Sequence, residues 1–76
     1  MPRDVLDTRG LRCPLPANRT RDRLKAMPAG AEIDVLGDDP LFAIDVAAMV
    51  EREGHVVLRQ RDADGGGLAL TVRKSG

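Results

Sequence analysis

The residues best suited to chemistry stand together in the motif Cys13-Pro14-Leu15-Pro16. A cysteine at the N-cap of a helix faces the positive end of the helix dipole, which favours the thiolate and lowers the thiol pKa below about 8.5. A helix tolerates Pro14 in its first turn, because the missing N–H has no partner there, and the proline ring restricts Cys13 to an extended conformation. Pro16, at the third helical position, repeats this restriction. The motif therefore predicts an exposed, nucleophilic sulfur.

Charge is distributed unevenly around this motif, although 12 basic and 12 acidic residues leave the whole chain neutral. Residues 1–30 carry seven basic and three acidic groups, a net charge of +4, whereas residues 31–54 carry one basic and seven acidic groups, a net charge of −6. Arg9 and Arg12 flank Cys13, so we expect them to support a thiolate or a persulfide anion electrostatically. The basic helix that follows also offers a docking face.

Composition argues against several classes of function. A neutral chain with one Phe and no Tyr or Trp has neither the charge nor the stacking surfaces for direct nucleic-acid binding. A single cysteine excludes an internal disulfide, and no His and Cys cluster indicates a metal site, so we expect neither metal nor cofactor. Without a signal-peptide pattern or an apolar run of about 18 residues, we expect a cytoplasmic protein with no membrane association.

Other interpretations exist for the same residues. Cys13 as a small buried apolar side chain is the common fate of a free cysteine, but the flanking prolines favour exposure. His55 as a base for Cys13 is disfavoured, because the residue after Gly54 starts a predicted strand. Asp38 and Asp39 resemble a metal pair, yet capping of the following helix explains them better.

Seventy-six residues allow one domain, 1–76, which buries only about 60% of the surface of its unfolded chain. Short apolar or alternating runs bounded by glycine or proline predict four strands. These strands are a brief one containing Val5-Leu6, then 31–36, 55–61 and 68–73. Residues 62–67 contain three glycines without the Lys-Ser/Thr of a phosphate loop, so they predict a hairpin turn.

Two helices are predicted between these strands. The first begins at Cys13-Pro14 and ends near Met27, with a narrow apolar stripe on an otherwise basic surface. The stripe consists of Ala17, Thr20, Leu24 and Met27, and the basic residues are Arg19, Arg21, Arg23 and Lys25. The second has Asp39 as N-cap, Pro40 at its first position and Gly54 as its stop. Its apolar face contains Phe42, Val46, Met49 and Val50.

The order βαβαββ predicts an α+β fold, a two-layer sandwich of a four-stranded mixed sheet with two helices on one face. Right-handed crossovers place both helices on the same side of the sheet, since each connects strands of that sheet. The alternating pattern of the last two strands agrees with this arrangement, because one side of them needs a face that meets water, namely Arg59, Arg61, Thr71 and Arg73.

The chain resembles the TusA-like (SirA-like) sulfur carrier proteins, whose opening strand runs into a Cys-Pro-x-Pro motif. The matching stretch is Leu6-Asp7-Thr8-Arg9-Gly10-Leu11-Arg12-Cys13-Pro14-Leu15-Pro16. Further matches are Pro28-Ala29-Gly30, Asp38-Asp39-Pro40, Asp45 and Gly54-His55. The first helix departs from the family pattern, because Ala17-Asn18-Arg19 follow the second proline and Arg23 stands where a small apolar residue is usual.

This resemblance implies a carrier that holds sulfane sulfur as a persulfide on Cys13, rather than a stand-alone enzyme. Pro14 and Pro16 then position the sulfur, and Arg9 and Arg12 support it. The implied donor is a cysteine desulfurase or a rhodanese, and the implied acceptor is a downstream carrier or sulfurtransferase. Such relays serve tRNA thiolation, molybdenum cofactor formation or sulfur oxidation.

Apart from the resemblance, the cysteine count is consistent with a sulfur carrier. A second cysteine near the persulfide would form a disulfide and release sulfide, and this sequence has none. Two other functions remain open. The alternative is a regulatory or scaffolding module whose basic helix docks an acidic partner and whose thiol is incidental or redox-sensing. The topology also resembles the C-terminal domain of translation initiation factor 3, although the neutral charge disfavours RNA binding.

Overall fold

Four strands and two helices follow one another in the predicted order. The computed structural model describes residues 4–75. Its elements are β1 (Asp4–Asp7), α1 (Leu15–Ala26), β2 (Glu32–Gly37), α2 (Phe42–Arg52), β3 (Val56–Asp62) and β4 (Leu68–Arg73). In this part of the chain, neither helix has the length and apolar character needed to cross a membrane.

The sheet has the strand order β1-β2-β4-β3. β1 runs parallel to β2, whereas β2 and β3 each pair antiparallel with β4. The parallel pair requires a crossover, which α1 supplies, and the β3–β4 hairpin folds β4 back into the centre of the sheet. The predicted α+β fold with a mixed four-stranded sheet is therefore confirmed.

One core lies between the helices and a single face of the sheet. Alternate residues of the central strands, Ile33 and Val35 in β2 and Leu70 and Val72 in β4, are buried against the helices. All members of the two predicted helical faces are also buried, namely Ala17, Thr20, Leu24, Met27, Phe42, Val46, Met49 and Val50. Both predicted stripes are thus confirmed as core.

The opposite face of the sheet was predicted to meet water, but its centre is buried, since Thr71 is 1% exposed. A carboxylate also lies there. Asp34 is only 7% exposed, although it lies between the buried residues Ile33 and Val35 along β2. Its Oδ1 accepts a hydrogen bond from Thr71 Oγ1 at 2.7 Å, and its Oδ2 meets Arg61 Nη2 at 3.3 Å. These partners compensate for the desolvation of the carboxylate, because a buried charge is costly unless it is paired and hydrogen-bonded.

The starts of both helices differ from the sequence prediction. α1 begins at Leu15 with Pro14 at its N-cap, so Cys13 precedes the helix and Pro16 takes the second helical position instead of the third. α2 begins at Phe42 with Leu41 at its N-cap, where Asp39 and Pro40 were predicted to start it. A turn closed by the hydrogen bond from Phe42 N to the Asp39 carbonyl oxygen, at 2.9 Å, precedes the helix and accounts for this shift.

A glycine at the end of β2 allows α2 to pack closely. Any Cβ placed on Gly37 would overlap the ring of Phe42, which occupies the space that a side chain would need. Phe42 is 1% exposed and lies in the first turn of α2. The close contact therefore holds the beginning of α2 beside the carboxyl end of β2, where the connection between β1 and α1 also passes.

Candidate functional site

The connection between β1 and α1 carries Cys13, and it is attached to the end of β2. Thr8 is buried, and both its backbone N–H and its hydroxyl donate to the carbonyl oxygen of Leu36. Gly10 has a φ of 87°, a conformation that favours glycine, and its N–H donates to Asp38 Oδ1 at 2.9 Å. These bonds place the segment that precedes Cys13 over the connection between β2 and α2.

Asp39 ties Cys13 to the start of α2. One of its oxygens, Oδ2, accepts the backbone N–H of Cys13 at 2.8 Å, and the other, Oδ1, accepts the N–H of Leu41 at 2.9 Å. The same carboxylate thus caps the turn before α2 and holds the cysteine backbone. The prediction of Asp39 as the N-cap of α2 was wrong, because Leu41 is the N-cap and Asp39 accepts the N–H of Leu41 from two residues earlier.

The sulfur of Cys13 lies at the surface and contacts one carboxylate. Cys13 is exposed, and its Sγ lies 3.2 Å from Oδ2 of Asp45, to which the thiol donates a hydrogen bond. Asp45 belongs to the first turn of α2. The thiol is therefore presented at the place where the starts of the two helices meet, and Asp45 is a site residue to which the sequence analysis assigned no role.

The pKa of the Cys13 thiol is raised above its usual value, not lowered as the sequence predicted. The hydrogen bond to Asp45 is the largest cause, followed by partial burial and by the negative charges of Asp45 and Asp39. The prediction was wrong for two reasons: α1 begins after Pro14, so Cys13 does not occupy the N-cap, and two acids surround the thiol. A carboxylate that accepts a hydrogen bond from the S–H group stabilises the thiol relative to the thiolate.

Arg9 makes its bonds on the side of the loop that faces the hairpin. Its guanidinium donates to both oxygens of Asp7, at 3.0 and 2.8 Å, and to the carbonyl oxygen of Asp64 at 2.7 Å. Arg9 thereby joins the β1–α1 connection to the turn between β3 and β4 by a hydrogen bond. None of these hydrogen bonds involves Cys13.

Arg12 acts on the acid that holds the Cys13 backbone. Hydrogen bonds from the Leu41 and Cys13 N–H groups lower the pKa of Asp39, and the positive charge of Arg12 lowers it further. Arg12 thus helps to keep Asp39 ionised. Its expected support for the sulfur itself stays a prediction.

We predict that Asp7 titrates unusually low because of Arg9. The side-chain hydrogen bond with Arg9, helped by the Arg9 N–H, lowers the pKa of Asp7 from 3.8 to about 2. Since the folded pKa lies below the unfolded one, this pair adds stability above about pH 4, and the contribution is lost as the pH falls towards 2. An NMR titration of the Asp7 carboxyl measures this value. Arg9→Gln, which keeps the backbone N–H, should return it part of the way towards 3.8, and an unchanged low value in the variant would exclude the Arg9 side chain as its main cause.

The two prolines of the motif occupy different environments. Pro14 is exposed, stands at the N-cap of α1 and follows a cis peptide bond from Cys13. Pro16 is buried, and its carbonyl oxygen accepts the hydroxyl of Thr20 at 2.8 Å. Pro16 therefore anchors the first turn of α1 in the core, while Pro14 leaves the cysteine at the surface.

His55 lies at the other end of α2 from the thiol. It follows the C-terminal end of that helix, whereas Asp45, which contacts Sγ, lies in the first turn. Its Nδ1 accepts the N–H of Ser75 at 3.1 Å, which joins the start of β3 to the segment after β4. His55 is accordingly a residue of the sheet end, and the structure does not support a role as the base for Cys13.

Three exposed aliphatic side chains are close in sequence to residues of the cysteine site. Leu15 is 43% exposed two residues after Cys13, Leu41 is 54% exposed beside Asp39, and Ile44 is 73% exposed beside Asp45. We call these three residues the apolar rim. Ile44 lies outside the buried face that helical spacing predicts for α2, whereas Leu15 and Leu41 lie at the helix starts, where that spacing is not informative. Within residues 4–75, no three His, Cys, Asp or Glu side chains are grouped as metal ligands.

Comparisons with known proteins converge on one family. The family model for the sulfurtransferase TusA matches residues 4–74. The sulfur carrier protein TusA of Allochromatium vinosum is 33% identical over 70 residues, which cover 92% of this chain and 91% of that protein. A relative from Aquifex aeolicus, also described as a sulfur carrier, is 31% identical over 93% of this chain, but the match covers only 36% of the longer protein.

Solved structures show the same architecture. The crystal structure of a SirA-like protein from Desulfitobacterium hafniense superposes with a TM-score of 0.81 at 25% sequence identity. The match covers 95% of this chain and 97% of that one. The β1–α1 connection with its exposed cysteine thus belongs to a fold shared over nearly the full length of both chains.

Proposed function

This chain belongs to the TusA family of sulfur carrier proteins, and from that premise we propose that Cys13 accepts sulfane sulfur as a persulfide and passes it to a downstream acceptor. The exposed Sγ of Cys13 is the observation that carries the proposal, because sulfur exchange requires access to that atom. Cys13 is also the only cysteine in the sequence, so an internal thiol cannot displace sulfide from the persulfide.

The surroundings of Cys13 favour presentation of the sulfur to another protein. The backbone N–H of Cys13 donates a hydrogen bond to Asp39, and Pro16 is buried in the turn that follows. The nucleophile is therefore carried on a fixed segment, and the apolar rim of Leu15, Leu41 and Ile44 offers area that a partner can bury. We infer that donor and acceptor proteins dock in turn on this surface.

The proposed partners follow from the chemistry of sulfane sulfur. A cysteine desulfurase or a rhodanese holds a protein persulfide and is the proposed donor, and the proposed acceptor is another carrier or a sulfurtransferase. The relay operates in the reducing cytoplasm, where a lone cysteine remains a thiol. It needs no metal or other cofactor, and it feeds thiolation of tRNA, molybdenum cofactor synthesis or sulfur oxidation.

Intact mass spectrometry tests this proposal directly. The reduced protein is incubated with a cysteine desulfurase and cysteine, or with a rhodanese and thiosulfate. We expect the protein to gain the mass of one sulfur atom and to lose it again on treatment with dithiothreitol. Protein incubated with each substrate but without its enzyme provides the control. Absence of the adduct with both donors would contradict carriage.

The exposed apolar rim and the basic surface of α1 also favour a second candidate, a protein-interaction module whose thiol is incidental or redox-sensing. The two functions differ in their dependence on sulfur. An interaction module keeps its partner affinity when Cys13 is replaced by serine, and it acquires no sulfur from either donor.

A further inference from the structure

Asp45 contacts the sulfur of Cys13 from a rigid element. Its Oδ2 lies 3.2 Å from Sγ, and its position in the first turn of α2 places it between the buried residues Phe42 and Val46 in sequence. Those two side chains hold the turn in the core. The carboxylate is therefore placed against the thiol by the fold.

The charges facing Cys13 come from three segments. Asp45 projects from α2, Asp39 reaches the Cys13 backbone from the connection after β2, and Arg12 precedes the cysteine and lowers the pKa of Asp39. Both carboxylates disfavour negative charge on the sulfur, and the hydrogen bond to Asp45 has the largest effect on the thiol pKa. Arg12 does not reverse their combined influence, because the pKa of Cys13 is raised.

We propose that Asp45 slows sulfur exchange at Cys13: its carboxylate holds the unloaded sulfur as a thiol and opposes the thiolate that forms when the loaded sulfur gives up its cargo. This inference rests on the proposed function of Cys13 and adds a residue that controls how readily the site loads and unloads. Asp45 acts here on the reacting atom itself, because its oxygen accepts a hydrogen bond from the Sγ–H group.

Loading begins with loss of the Sγ proton to solvent. The thiolate then attacks the outer sulfur of the donor persulfide, so that the Sγ–S bond forms while the donor's S–S bond breaks. The electron pair of the broken bond leaves on the donor sulfur, which takes up a proton. By favouring Sγ–H, Asp45 reduces the fraction of carrier able to start this step, which limits reaction with chance electrophiles.

Discharge reverses these roles at Cys13. An acceptor nucleophile attacks the outer sulfur, the Sγ–S bond breaks, and its electron pair remains on Sγ, which is then protonated and can donate to Asp45 again. A thiol with a raised pKa is a poorer leaving group. The carboxylate consequently makes the persulfide more resistant to premature loss of sulfur between donor and acceptor.

Alkylation by iodoacetamide as a function of pH tests the first half of the proposal. Asp45→Asn retains an oxygen acceptor but removes the charge, so we expect the midpoint of the rate profile to move to lower pH and the rate at neutral pH to rise several-fold. Above both midpoints, the rates of variant and wild type should converge. Glu51→Gln, a neutralised carboxylate in the last turn of the same helix, should match wild type.

Cyanide attacks the outer sulfur of a persulfide and releases thiocyanate, so it tests the second half. Asp45→Asn loaded with glutathione persulfide should release thiocyanate faster than loaded wild type, while Asp45→Glu, which keeps the charge, should remain closer to wild type. An unchanged alkylation midpoint or slower release from Asp45→Asn would overturn the proposal. The alkylation profile needs no persulfide, so its result stands even if no protein takes up sulfur and carriage itself fails.

Discussion

Replacing Cys13 by serine is expected to abolish the sulfur adduct completely while leaving the fold unchanged. Serine has no sulfur with which to form a persulfide, and the sequence contains no second cysteine that could accept it. The side chain is exposed, and Asp39 binds the backbone N–H of this residue, so that contact survives the substitution. We therefore expect a change in unfolding free energy within about 0.5 kcal/mol.

Two measurements on the Cys13→Ser protein separate loss of chemistry from loss of structure. Intact mass after incubation with each donor measures the adduct, and urea denaturation measures stability. Cys13→Ala, which also removes the hydrogen bond to Asp45, should behave in the same way in both assays. A sulfur adduct that persists on the serine protein would place the sulfur elsewhere and refute the assignment of Cys13.

Phe42→Ala is expected to lower the unfolding free energy by about 3–5 kcal/mol, the usual cost of removing a buried aromatic side chain. Phe42 is 1% exposed, and its ring fills the space left by the absent side chain of Gly37. Gly37 has no side chain that could move to fill the cavity left by the ring. In a small domain, whose total stability is about 5–15 kcal/mol, such a loss removes a large fraction of the folding free energy.

Ile44→Ala provides a matched control in the same helix. Ile44 is 73% exposed, so its removal should change stability by about 0.5 kcal/mol or less. Urea denaturation of both variants at the same temperature gives the comparison. Equal costs for the two substitutions would show that Phe42 is not the anchor of α2. If only Phe42→Ala loses stability, the position of Asp45 should also become less fixed, because both residues belong to the first turn of α2.

Much of the fold could be predicted from residue patterns, because the elements obey local rules. The helical spacing of Phe42, Val46, Met49 and Val50 identified the buried face of α2 correctly, whereas alternation along β4 predicted an exposed Thr71 that the structure buries. Helix starts were less predictable, since Pro40 and Leu41 form a turn before α2 in place of its first helical residues. Asp34 was also missed as a buried acid, because its compensation by Thr71 depends on the pairing of β2 with β4.

The candidate site, like the fold, was predicted only in part. The motif around Cys13 indicated an exposed sulfur, and the structure places that sulfur at the surface. The expected ionisation failed because it was inferred from the helix start and from the neighbouring Arg9 and Arg12, without the acids that the fold brings to the thiol. Asp45 is 32 residues away in sequence and contacts Sγ, and this contact raises the thiol pKa. Arg9, adjacent in sequence, is instead bonded to Asp7 and the hairpin.

Local sequence was sufficient to indicate a βαβαββ sandwich and an exposed cysteine as the proposed reactive residue, because strand alternation, helical spacing and the Cys-Pro-x-Pro motif act over a few residues. The electrostatic environment of that sulfur arises only when the chain folds. Packing of Phe42 against Gly37 places α2 beside the loop of Cys13, and Asp39 and Asp45 then approach the cysteine. Charge interactions depend on distance in space, so residues far apart in sequence raise the pKa of the Cys13 thiol.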